Sequence, residues 1–155
     1  MDCRERLKSY LAEQAVVHEF QSHPSAFTAQ EVAASEHVPG RMLAKVVMVQ
    51  ADQRLVMLAL PAPAHVDLRR VAETLGAGEV RLAEEREFAS TFPDCEPGAM
   101  PAFGNLYGLQ VHVDRSLTQN ERIVMQAGTH HDTVSLAYAD FERLAEPVVG
   151  SFARS

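Results

Sequence analysis

The chain has 155 residues, 46% of them hydrophobic, and a formal net charge of −7. That length suits one domain with its own core, so residues 1–155 are expected to fold as a single unit. The acidic balance argues against non-specific nucleic-acid binding, which depends on neutralising phosphates, although Arg41 with Lys45 and Arg69 with Arg70 are local basic clusters.

No apolar run approaches the roughly 18 residues of a membrane span. The opening MDCRERLKSY is charged at once. Both predict a cytoplasmic protein with no membrane partner. Two cysteines, Cys3 and Cys95, are too few for a disulfide scaffold, and free thiols are the expectation in a reducing compartment. Neither has a CxxC partner, and the scattered histidines show no HExxH spacing, so no metal or other cofactor is expected.

In chain order, residues 3–14 carry Leu7, Tyr10 and Leu11 at helical spacing. VVHEF at 16–20 alternates as a strand. TAQEVAASEHV opens on Thr28 with Glu31 three residues on, a capping box for a helix that stops at Pro39-Gly40. LAKVVMVQ and RLVMLALP flank the turn ADQ and read as a hairpin of buried strands. VDLRRVAETLG is a helix ending on glycine, EVRLA a short strand and EEREFASTF a further helix. After residue 108, GLQVHVDRSL, IVMQAG and TVSLAY are strands and ADFERLAEP is a closing helix. The tail VVGSFARS is weakly patterned and is expected to fray. Adjacent hairpins do not fit a doubly wound parallel sheet. The pattern predicts a mixed α/β (α+β) fold, with a curved, partly barrel-like sheet surrounded by helices.

Three features bear on chemistry. Lys45 lies in an otherwise apolar strand; its amine either reaches water at a strand end or is aimed into a cleft at an anionic or carbonyl group. DCEPGAMPAFGNLYG at 94–108 places Gly98, Ala99 and Met100 between Pro97 and Pro101. Glycine lets backbone N–H groups approach a ligand, and such an array can hold a carbonyl oxygen as charge develops on it. The other reading is a surface loop rich in turn formers. His130 follows Gly128-Thr129 at a strand end and could line a pocket or face solvent. No GxSxG elbow and no phosphate-binding loop is present, and Cys95 has no base near it in sequence.

Together, HPSAFTAQEVAASEHVPGRMLAKVVMV, DCEPGAMPAFGNLYG and VDRSLTQNERIVMQAGTHHDTVSLAYADFERL resemble the YbaK/ProX family of aminoacyl-tRNA editing domains over roughly residues 15 to 146. The resemblance implies a stand-alone deacylase that hydrolyses the ester of mischarged tRNA. It implies that Lys45 helps to place the aminoacylated 3′ end. It also implies that the loop at Gly98, Ala99 and Pro101 binds the substrate carbonyl through main-chain N–H groups. The family loop runs GxxxP, whereas two residues separate Gly98 from Pro101 and Pro97 stands where that spacing puts the glycine. Pocket walls by family position or nearness to a motif are Phe20, His23, Phe27, Thr28 and Met48. Met100, Phe103, Gly128 and His130 complete them. The amino acid removed is expected to be small, such as alanine, serine or threonine. A synthetase or elongation factor is an expected partner beside the tRNA acceptor end. A family-like module that binds a small ligand or a protein without hydrolysis is the alternative.

Overall fold

The computed structural model describes residues 1–24, 31, 34 and 38–155. Thr28 of the capping box and most of the helix after it lie outside the described residues, as does Phe27.

Helix α1, Cys3–Glu13, starts on Asp2, whose carboxylate accepts the Glu5 N–H in a capping box. It buries Cys3, Leu7 and Leu11 on one face. Strand β1, His18–Ser22, begins two residues later than its alternation suggests. The hairpin of β2, Ala44–Ala51, and β3, Arg54–Pro61, runs antiparallel from Ala44↔Pro61 to Ala51↔Arg54. Its turn residues Asp52 and Gln53 have φ of 50° and 70°, the paired left-handed geometry of a two-residue hairpin. Neither is glycine, and the Asp52 carboxylate compensates by accepting the Gly78 and Glu79 N–H groups.

Strand β4, His65–Val66, leads into α2, Leu68–Leu75, which Asp67 caps by accepting from Arg69 and Arg70 N–H. Gly76 ends it at φ 65°. Strand β5, Val80–Leu82, and the single turn α3, Glu85–Phe88, follow. Then come β6, Val111–Asp114, β7, Arg122–Gln126, β8, Asp132–Ala137, and α4, Tyr138–Ala145. No helix among the described residues is long and apolar enough to cross a membrane.

With β9, Val148–Gly150, the main sheet has the order β5-β2-β3-β6-β9 and mixes directions: β2 pairs antiparallel with β3 and β5, while β3-β6 and β6-β9 are parallel. An antiparallel sheet, β1-β8-β7, joins it through a bridge between Leu43 and Val124. The mixed sheet with helices around it matches the expected class; among the described residues it does not close into a barrel.

Two cores lie on the two faces of β2. Ala44, Val46 and Met48 pack with α1, α4 and the antiparallel sheet around Phe103 and Phe141. Val47 and Val49 pack with Leu58, Leu60, Val71 and Phe152. Strand alternation therefore puts Lys45 on the second face.

Two expectations need correction. The tail does not fray: β9, Val148–Gly150, lies beside β6, and β10, Ala153–Arg154, pairs with β4. Phe152 is 1% exposed. Asp114, buried, accepts the Phe152 and Ala153 N–H groups at 2.8 Å each. A buried carboxylate needs donors, and the tail supplies them; strands of two or three residues carry too little periodicity to be read. Nor are the thiols free: Cys3 and Cys95 form a disulfide. The first turn of α1 docks on the 94–95 backbone, with the Cys3 N–H donating to the Asp94 carbonyl at 3.0 Å, a proximity invisible in a spacing of 92 residues.

Candidate functional site

The glycine- and proline-containing segment folds against the turn between β7 and β8. The Glu96 N–H donates to the Gly128 carbonyl at 2.8 Å, and the Gly128 N–H returns to the Ala99 carbonyl at 2.9 Å. The Glu96 carboxylate accepts the His130 N–H at 2.7 Å. His130 is 8% exposed, and its Nε2 lies 2.9 Å from the Pro97 carbonyl. A carbonyl only accepts, so Nε2 carries the proton and Nδ1, 3.5 Å from the Gln126 amide nitrogen, is the acceptor. His130 thus pins the segment through its main-chain N–H and its Nε2–H.

Gly98 has φ 84° and is exposed, while Ala99, Met100 and Pro101 are buried. The Ala99 N–H turns inward to the Glu96 carbonyl at 3.0 Å. The Gly98 and Met100 N–H groups donate to no protein group among the described residues and are the segment's available donors. Pro97 and Met100 line a small cavity of about 190 Å³ with Phe88 and Phe92.

Other expected wall residues divide. His23 joins this corner, its N–H donating to the His131 carbonyl at 2.8 Å. Phe20 pairs with Val134 across β1 and β8 and carries the Arg4 guanidinium 5.0 Å above its ring. Met48 and Phe103 sit in the first core, Phe103 edge-to-face with Tyr10 and Phe141. Thr28 lies outside the described residues.

Lys45 is positioned from the other face of β2. Its Nζ donates to the Ala64 carbonyl, and burial pushes its pKa down. Ala64 lines a cleft of about 730 Å³ with Arg41, Arg70, Asp114, Ser116 and Arg154. The cavity beside the segment and the cleft that Ala64 lines share no lining residue. Arg154 and Glu96 were not singled out from the sequence; Glu96 directly precedes Pro97, and its role depends on a turn more than thirty residues away.

Among the described residues, Cys3, Asp94 and Cys95 are the group whose donor atoms come within 4.8 Å of one another. The disulfide removes both thiolates as ligands.

The clamp gives a first expectation. Glu96→Ala removes the carboxylate that accepts the His130 N–H, which is expected to cost about 1 kcal/mol, read as a lower urea midpoint at constant m.

Comparison with known proteins adds four findings. A family model described as "Aminoacyl-tRNA editing domain" matches residues 23–144. The proline–tRNA ligase of Thiobacillus denitrificans (strain ATCC 25259 / T1) is 29% identical over 126 residues, which are 80% of this chain and 21% of that one. The chain thus spans about a fifth of the length of this curated relative. Among solved structures, a proposed trans-editing enzyme for prolyl tRNA synthetase superposes with a TM-score of 0.85 at 15% identity, over 99% of this chain and 98% of the other. A proposed signal transduction protein from Marinobacter aquaeolei VT8 gives 0.76 at 20% identity, over 96% of this chain and 30% of the other. At those identities the superpositions speak for the fold alone.

Proposed function

This chain belongs to the aminoacyl-tRNA editing domain family, and from that membership we propose that it is a deacylase acting in trans on mischarged tRNA in the cytoplasm. Residues 1–155 act as one domain in this reading. The observation that carries it is the family match across residues 23–144, which takes in Lys45, the glycine- and proline-containing segment and His130 together.

In the proposed reaction, water attacks the ester carbonyl that joins the amino acid to the terminal ribose. The products are the free amino acid and the tRNA 3′ hydroxyl. The Gly98 and Met100 N–H groups are the donors for the developing oxyanion. Ala99, whose N–H closes the turn, and Pro101 set the shape. Lys45 holds the anionic acceptor end. No strong base is required: positioning and oxyanion stabilisation supply the acceleration.

The proposed amino acid is small: alanine, serine or threonine. The curated relative joins proline to its tRNA by name, and the proposed partners are the tRNA acceptor end with a synthetase of that kind or an elongation factor. The test is a deacylation panel of tRNAs charged with cognate and non-cognate amino acids. We expect hydrolysis of at least one small-residue ester well above the uncatalysed rate. Hydrolysis of none, with tight binding of a free metabolite, selects a binding module instead.

A further inference from the structure

We propose that the 730 Å³ cleft beside Lys45 is a binding groove for the phosphodiester backbone of the RNA substrate. The inference rests on the deacylase reading for the identity of that RNA, and it assigns the contact to residues outside the acyl-binding corner.

Three guanidinium groups reach this cleft from separate elements: Arg41 from the turn Gly40–Met42, Arg70 from α2 and Arg154 from β10. The Lys45 ammonium donates to the carbonyl of Ala64, itself a lining residue. Three arginines line one cleft of a chain whose net charge is −7. Like charges repel, so gathering them costs stability unless a ligand offsets it.

The fold ties Arg70 to the strand that carries Arg154: its Nη1 donates to the Ala153 carbonyl at 3.0 Å. That strand is held on its other flank by the Val66↔Ala153 pairing and from below by Asp114. The nearby acids offset the set only in part. The Asp114 carboxylate is filled by the Phe152, Ala153 and Ser116 N–H groups and the Ser116 hydroxyl. Asp67 caps α2 and lies 3.7 Å from Arg70. Arg41 and Arg154 have no carboxylate partner among the described residues.

Arginine is the side chain whose planar fork matches phosphate oxygens in pairs. An open cleft lined by three arginines suits a chain of phosphates, and Pro61 and Pro63 line it too.

The test measures affinity for an uncharged tRNA transcript by fluorescence anisotropy, which needs no catalysis. Arg154→Glu and Arg41→Glu are expected to raise Kd at least tenfold at 0.1 M salt. Each lost phosphate contact lowers the slope of log K against log salt by about 0.7–0.9. Arg143→Glu, a charge-matched change on α4, is expected to leave affinity within twofold. Arg70→Glu is read beside its thermal midpoint, because that side chain also holds Ala153. Unchanged affinity and salt slope in Arg154→Glu and Arg41→Glu overturn the proposal. An equal loss in Arg143→Glu overturns it too, by showing only a general charge effect. An empty deacylation panel with these binding losses intact defeats the catalytic reading and leaves the groove standing.

Discussion

Lys45→Met is expected to lower kcat/KM for the hydrolysed aminoacyl-tRNA roughly 10- to 150-fold, the loss of one charge-assisted contact worth about 1.5–3 kcal/mol. Methionine keeps most of the apolar stem that packs on the Val47 and Val49 face while deleting the ammonium. The structure predicts that stability does not fall with activity. Burial lowers the Lys45 pKa, so folding disfavours its charged form, and in the wild type this group's contribution to stability rises with pH as it loses its proton. Removing the charge removes that penalty at neutral pH. Steady-state deacylation beside a thermal midpoint separates the two effects. A midpoint that drops as steeply as the rate would make Lys45 a structural lysine and defeat its role at the acceptor end.

Gly128→Ala is expected to be the most damaging single methyl in the chain. A Cβ there would stand 2.6 Å from Cys3 Cβ and 2.7 Å from its sulfur, at a φ of 96°. Overpacking and left-handed strain each cost about 1–3 kcal/mol, so a loss of about 2–6 kcal/mol is expected. Because Gly128 also exchanges hydrogen bonds with Glu96 and Ala99, activity is expected to fall with stability. Gly76→Ala is the comparison: φ is 65° but nothing lies within 4 Å of the new carbon, leaving the strain alone, about 1–2 kcal/mol. Urea unfolding of the two variants checks the order, and equal losses would refute the steric account.

The main sheet and its helices were legible because their signals are local. Apolar runs in β2 and β3 flank a turn of hairpin length. Asp67 and Gly76 bracket α2, and Leu7 and Leu11 repeat at helical spacing in α1. What the sequence withheld depends on partners far along the chain. Phe152 is an unremarkable tail residue until the Asp114 carboxylate is found beside it. Cys3 and Cys95 look like incidental thiols until α1 docks under the β7–β8 turn. The segment at 96–101 was legible as a place where backbone might do chemistry. Which N–H groups it offers was not: Ala99 spends its own on Glu96, and only folded geometry shows that. Alternation within β2 could have placed Lys45 opposite Met48. It was the cleft beyond, with Arg154 arriving from the end of the chain, that required three dimensions.

The Cys3–Cys95 bond turns the first part of this chain into a covalent ring that takes in β1 to β5. Closing a ring of that size restricts the unfolded ensemble by about 4–5 kcal/mol in the chain-entropy account. The bond lies one residue before the Glu96 clamp, so the ring is sealed beside the backbone proposed to receive the ester. Were the bond reduced, the corner would keep the Cys3 N–H bond to the Asp94 carbonyl and the Glu96 bonds to Gly128 and His130, and would lose only the ring's restriction of the unfolded chain.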